Sequence, residues 1–274
     1  MMPNCFLAII RRMKVLRPVL LLSFTVSLIA FRASRAEDIE TIRKAADQGN
    51  IESEIAMARV YFKGEGVNQD YHQAADWIRK AAGQGSPKAQ YDLGLFYSKG
   101  YGVDQDLKQA VEWYRKSAEQ DFPEAELQLG QLYYSGAPGV DQNYAEAAKW
   151  LTKAAEHGTL WAQNTLGVMY SSGLGVGQDP KAAFEWFKKA AEQGDLKAQS
   201  NLGQAYAAGS GTEKEPIQAY KWLTLAAQQG EITATKALHG VTLTESEEAE
   251  ARRLVAEWRE KHARAEVRTP QLRE

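Results

Sequence analysis

One tryptophan recurs through the chain, at Trp77, Trp113, Trp150, Trp186 and Trp222, at intervals of 36, 37, 36 and 36 residues. Each sits in a near-copy of one phrase: ADWIRKAAGQG ending at Gly85, VEWYRKSAEQD at Asp121, AKWLTKAAEHG at Gly158, FEWFKKAAEQG at Gly194 and YKWLTLAAQQG at Gly230. A fixed period of this size identifies an array of short modules, none of which can bury its apolar side alone. Length and composition, 274 residues with 44% apolar and 25% charged, would otherwise suit one or two ordinary domains.

Each module divides into two predicted helices. The first is clearest from Ser86 to Lys99, where Ser86 suits the N-cap and Pro87 the first turn. Asp121, Phe122 and Pro123 open the next module in the same way. Ala89, Leu93 and Tyr97 fall at i, i+4 and i+8 and share a face. Gly94, Gly130, Gly167 and Gly203 recur inside these helices, with Met57-Ala58 at the matching place in the first module. A helical glycine costs about 1 kcal/mol against alanine, so its recurrence predicts close approach of a neighbouring helix backbone. Glycine-rich links follow, such as KGYGVDQD at 99–106. The link SGAPGVDQN is one residue longer and accounts for the single interval of 37. Asp70, Asp106, Asn143 and Asp179 then stand as N-caps of the second helices, with Pro180 and Pro216 at first helical positions. Within the second helix the tryptophan and a small residue four places on, Trp113 and Ser117 for example, predict close packing with the tryptophan in the core.

The array needs atypical ends. Residues 37–49 form half a module, with Thr41 where tryptophan would stand, and are expected to be an N-terminal capping helix. Five full modules span 50–230. Residues 231–263 hold a partial module (Ala234, Leu238) and a C-terminal capping helix, where Thr244 and Glu247 make a capping box and Leu254 and Trp258 lie four apart. Residues 264–274 are polar and are expected to form a flexible tail.

Residues 1–36 have a different character. Arg11, Arg12, Lys14 and Arg17 precede the apolar run Val19 to Phe31, and small residues follow around Ala33 to Ala36. That pattern predicts a secretory signal peptide cleaved near Ala36. The 13-residue run is shorter than the ~20 needed to span a bilayer, and an uncleaved anchor is the alternative. Met13 is an alternative start to Met1, and no cysteine follows the run to carry a lipoprotein anchor. Removal of six basic and no acidic residues takes the formal net charge from −2 to −8 and removes Cys5, the one cysteine. An acidic chain with no thiol excludes disulfides and Cys-rich metal sites and argues against nucleic acid or anionic membranes as partners. A periplasmic or secreted location follows, without membrane insertion after cleavage.

The order A-x-x-x-L-G-x-x-Y-x-x-G-x-G-V-x-x-D, then A-x-x-W-x-x-K-A-A-x-x-G, resembles the Sel-1-like repeat, a relative of the tetratricopeptide repeat. Departures are mild: Met57-Ala58, Ser117, Asp121 and Thr212. The resemblance implies an all-α fold, an α-solenoid forming a right-handed superhelix of antiparallel helix pairs. It also implies an adaptor role towards other proteins, in bacteria often after export and in envelope signalling or host interaction. Some members carry a cysteine pair in each repeat, which this chain lacks.

Catalytic and ligand-binding patterns are sparse. His72, His157, His239 and His262 are scattered, read as surface residues, and do not predict a metal site. Gly173, Gly175 and Gly177 follow no strand and repeat as a turn, so they predict no phosphate cradle. No cofactor is expected. In the related repeats the first helices line a concave face. Here the candidates for a protein or peptide partner are Tyr91, Asp92 and Leu95 in one module, Gln128, Gln131 and Tyr134 in the next, and Trp161, Asn164, Thr165, Asn201 and Gln204 further on. Trp161 lies off the repeat register, so either it recognises a partner or it packs on the preceding second helix. The expected function is a non-catalytic interaction scaffold of the bacterial envelope. An enzyme or accessory factor acting on cell-wall material, and a purely structural or oligomeric role, are the alternatives.

Overall fold

The computed structural model describes residues 38–268, so the predicted leader, Cys5 and the last six residues lie outside the described part. Helix α1 covers 38–47. Ten helices then alternate as first and second members of five pairs: α2 (Ile51–Lys63) and α3 (Tyr71–Gly83), α4 (Pro87–Lys99) and α5 (Leu107–Ala118), α6 (Pro123–Ser135) and α7 (Tyr144–Glu156), α8 (Leu160–Ser172) and α9 (Pro180–Glu192), α10 (Leu196–Ala208) and α11 (Pro216–Ala227). The chain ends in α12 (Ile232–Leu238) and α13 (Glu245–Arg268). Residues 264–268 of the expected flexible tail therefore continue the last helix. Among the described residues there is no strand, only an isolated bridge between Ala137 and Val140 that absorbs the extra residue of the longer link. The fold is the expected all-α solenoid of antiparallel helix pairs. Two compact units divide within α5, one ending at Trp113 and the other beginning at Tyr114.

Local chemistry explains the helix boundaries. Asp70 accepts from the backbone N–H of His72 and Gln73 at 2.9 and 3.1 Å, and Asp179 does the same for Lys181 and Ala182 at 3.0 Å each. Four of the five links also use a glutamine whose role the spacing alone did not disclose, the fifth having Lys214 at that place. Gln69, Gln105, Gln142 and Gln178 donate to Phe62, Ser98, Tyr134 and Ser171 carbonyls at 2.7 to 2.9 Å, closing the otherwise open C-terminus of each of those first helices. Asp121 does not cap α6. It takes a left-handed conformation (φ +57°) and pairs with Lys153 Nζ at 2.7 Å, leaving Phe122 as an N-cap without a side-chain bond.

The tryptophans are not uniformly core. Trp77, Trp150 and Trp222 are buried, whereas Trp113 and Trp186 are half-buried. The residue after each tryptophan is buried in all five pairs: Ile78, Tyr114, Leu151, Phe187 and Leu223. This following residue, more than a neighbouring backbone, is what the helical glycines accommodate. A Cβ on Gly130, Gly167 or Gly203 would stand 2.3, 2.5 or 2.6 Å from side-chain atoms of Leu151, Phe187 or Leu223. Lysines lie over tryptophan ring faces, with Lys80 Nζ 3.8 Å from the Trp77 ring centre and Lys189 Nζ 4.0 Å from that of Trp186. Gly203→Ala is expected to cost about 1–3 kcal/mol through overpacking against Leu223, a loss that chemical denaturation measures and that Leu223→Ala in the same chain should partly relieve.

In the second unit α13 closes the array over α11. Ala251 and Val255 are its buried face, flanked by Leu254 and Trp258, and the Trp258 ring meets Trp222 edge-on at 6.2 Å. Thr244 and Glu247 make the reciprocal cap, Thr244 N donating to Glu247 Oε2 at 2.8 Å and Glu247 N to Thr244 Oγ1 at 3.4 Å. His262 is not a plain surface residue. It stacks on Trp258 at 3.6 Å and its Nε2 lies 2.9 Å from the Glu192 carbonyl.

Candidate functional site

The first helices carry the predicted binding residues, and their periodic apolar side fixes which positions remain accessible. In the first unit Tyr91, Asp92 and Leu95 are half-buried along α4, with Asp92 Oδ2 3.3 Å from Lys88 Nζ. The same unit holds an aromatic cluster missed in the sequence: Phe62, Tyr71, Phe96 and Tyr101. Phe62 and Tyr71 are centred 5.1 Å apart, and Tyr71 stacks on Tyr101 at 5.5 Å. Its signal was an aromatic at the end of a first helix, in a link and at the start of a second helix.

In the second unit the candidates lie on α6, α8 and α10, and side-chain contacts join these helices. Gln128, Gln131 and Tyr134 are half-buried on α6. Trp161, 38% exposed on α8, meets Tyr134 edge-on at 6.3 Å, and Tyr134 in turn meets Tyr144 at 5.5 Å. The tryptophan thus contacts a preceding first helix while keeping an open face. Asn164 and Thr165 do not belong to an accessible surface, for both are buried. Asn164 Oδ1 instead accepts from Asn201 Nδ2 at 2.9 Å, joining α8 to α10. They hold the repeat positions of Tyr91 and Asp92, which are half-buried on α4, so local packing around α8 rather than register buries them. Asn201 stays half-buried and Gln204 is exposed, with its Nε2 3.2 Å from Ser200 Oγ.

A cleft of about 370 Å³ lies between α8, α9 and α10, lined by Val168, Ser171, Phe184, Phe187, Asn201 and Gln204 among others. Its surfaces combine aromatic and small side chains with amides that can both donate and accept. Such a lining suits backbone amides of an extended chain better than an ion. Nearby Tyr206 packs edge-on against Phe184 at 5.1 Å, and burial first, then Glu215, pushes its hydroxyl pKa up. It therefore remains a neutral hydrogen-bonding group at physiological pH. A second cleft of about 360 Å³ lies where α13 meets the ends of α9 and α11, with Lys221, Trp222, Glu257 and Trp258 in its wall. Burial there pulls the Lys221 ammonium pKa down, against the opposing effect of Glu192 and Glu257.

The carboxyls with pKa values held above the usual range, Glu54 and Glu126, are buried between helices and line neither cleft; burial is the main cause in both. Among the described residues no group of three or more His, Cys, Asp or Glu is placed to hold a metal ion, and no helix is long and apolar enough to cross a membrane.

Comparison with known proteins agrees with this architecture. The Sel1 repeat model matches residues 51–86, 87–122, 123–159, 162–195 and 196–231. The crystal structure of a Sel1 repeat protein from Oxalobacter formigenes is similar at 37% identity and a TM-score of 0.67, over 79% of this chain and 88% of that one. So is c5321, a protective antigen of uropathogenic Escherichia coli strains displaying an SLR fold, at 30% identity and a TM-score of 0.51, over 88% of this chain and 60% of that one. Among curated proteins none matches the chain. Sel1 repeats typically mediate protein–protein interaction and are generally non-catalytic scaffolds. Five consecutive matches and a 37% identical structural relative establish that this chain belongs to the Sel1 repeat family.

Proposed function

We propose that the chain is a non-catalytic scaffold that binds an extended peptide or a loop of a partner protein on the face formed by α6, α8 and α10. The observation that carries this reading is Trp161, a large aromatic outside the repeat register that keeps 38% of its surface open and is braced by Tyr134. A braced, accessible indole beside amide side chains is the kind of anchor on which binding energy concentrates. Gln128, Gln131, Asn201 and Gln204 supply hydrogen bonds along the same helices, and Tyr91, Asp92 and Leu95 occupy the corresponding helix of the first unit. The basic-then-apolar leader supports export to the bacterial envelope, and an antigenic relative, c5321, is consistent with an exported position.

The test uses the full chain as bait for a random peptide library. Trp161→Ala is expected to weaken the selected peptides at least ~30-fold, as loss of a hot-spot residue does. Because the ring is already partly in water, thermal stability should move by no more than about 2–4 °C. Unchanged affinity in Trp161→Ala contradicts the reading. Cleavage of peptidoglycan by the purified chain would favour the cell-wall enzyme instead.

A further inference from the structure

Two positions of the third repeat and the last residue of the second-repeat phrase depart from most of their counterparts, and the fold brings all three together. Glu126 stands where Gln90, Gln163 and Gln199 stand, and where the first repeat has Glu54. His157 replaces Gln84, Gln120, Gln193 and Gln229, and Asp121 replaces Gly85, Gly158, Gly194 and Gly230. The neighbours show what this place normally does. Gln163 and Gln199 donate to the carbonyls of Ala155 and Ala191 at 3.0 and 3.3 Å, and Gln163 Oε1 accepts from Gln193 Nε2 at 3.0 Å. In the first repeat Glu54 accepts from Gln84 Nε2 at 2.7 Å. In the fourth repeat an amide pair, and in the first an amide–carboxylate pair, thus fastens a first helix to the end of the second helix that packs on it.

Glu126 breaks this arrangement. Its side chain has no exposed surface, and neither carboxyl oxygen has a hydrogen-bond partner. Ionised, it has no hydrogen to give a carbonyl. The nearest opposite charge available to it is the His157 ring, with Nε2 at 3.7 Å from Oε2, and that ring attracts it only when protonated. Lys153 is engaged by Asp121 at 2.7 Å. Glu156, on the same turn of α7, adds a like charge. Helix α8, packed against α7, carries no lysine, arginine, histidine or carboxylate in its sequence LWAQNTLGVMYSS.

We propose that Glu126 and His157 form a proton-operated latch between α6 and the C-terminal end of α7. With a proton available, either His157 is cationic and holds the carboxylate, or Glu126 is a neutral acid that can donate as the glutamines do. Without one, a buried carboxylate keeps only the pull of Lys153, which is itself paired with Asp121, and that is costly. Burial holds the Glu126 carboxyl above its ordinary range, with His157 the largest opposing influence. Glu126 therefore binds its proton more tightly in the folded state than in the unfolded chain. The stability tied to that proton is fully present below the ordinary carboxylate range and is lost as pH rises through the raised folded-state value of Glu126.

The latch does not depend on what α6 binds, and its test reads stability alone. Full-length wild-type chain, Glu126→Gln, His157→Gln and the double variant, which recreates the Gln163–Gln193 pair, are denatured between about pH 5.5 and 8. Hydrogen exchange over 123–135 follows the same samples. The wild type is expected to weaken relative to the double variant as pH rises, to melt about 2–4 °C below it at the upper end, and to exchange faster in α6 there. Glu126→Gln alone should share the double variant's pH dependence. His157→Gln alone recreates the Glu54–Gln84 arrangement, whose amide donates to the carboxylate at any pH, so it should weaken the pH dependence without abolishing it. Wild-type and double-variant profiles that run parallel, with equal exchange in α6 at both ends of the range, would overturn the proposal.

Discussion

Gly175→Ala is expected to cost about 3–4 kcal/mol, among the largest losses a single methyl can produce here. Two effects add. Gly175 has φ +70°, a conformation that costs a residue with a Cβ about 1–2 kcal/mol. The added Cβ would also stand 2.2 Å from the carbonyl carbon and oxygen of Tyr144, backbone atoms held in the first turn of α7. A flexible side chain could move aside, but the opening of a helix cannot without loosening the packing of α7 on α8. The same close approach recurs at Gly211, whose Cβ would lie 2.0 Å from Pro180 O, so it is a property of the repeat. Gly177 supplies the control two residues away. It has nothing within 4 Å of an added Cβ and its φ is not positive, so Gly177→Ala should stay within about 0.5 kcal/mol of wild type. Chemical denaturation of the three proteins side by side measures the difference. Equal losses at 175 and 177 would show that the links are not pressed against the preceding pair.

Truncation of Trp150 is the second large effect. The ring is 2% exposed, and its Nε1 donates to Glu146 Oε2 at 3.2 Å. Trp150→Ala should cost about 3–5 kcal/mol, the usual range for a buried aromatic. Trp186→Ala should cost roughly half as much, because that ring is half-buried and part of its cover is Lys189, which remains hydrated. The ordering matters more than either value: five equal losses across Trp77, Trp113, Trp150, Trp186 and Trp222 would contradict the burial pattern. Because a repeat array opens locally, exchange of α7 and α8 amides should rise before the whole chain unfolds.

Much of this architecture was legible in the sequence because the same physical requirement recurs five times. Tryptophan spacing located the second helices, Asp70 and Asp179 marked their starts, and Thr244 with Glu247 marked the start of α13. The phase of burial was less legible. Trp113 and Trp186 are each followed by another aromatic, Tyr114 or Phe187, about 100° further round the helix, and Phe187 enters the recess at Gly167. Periodicity alone does not decide between two large neighbours. Asn164 and Thr165 were misplaced for a related reason. Polar side chains on a helix read as exposed, yet here an amide from the next first helix reaches across to Asn164. His72, His157 and His239 are exposed, as the sequence suggests, but nothing near His157 announces a buried carboxylate 31 positions earlier. Trp161 was legible as an outlier, and the braced ring beside Tyr134 required coordinates.

Hydrogen–deuterium exchange of the full chain, with and without a library-selected peptide, tests the binding face most directly. The expected result is slower exchange in 160–172 and 196–208, lost in Trp161→Ala. Slower exchange confined to 144–156 and 180–192, with the first helices unchanged, would place the partner on the opposite members of the pairs and contradict the account.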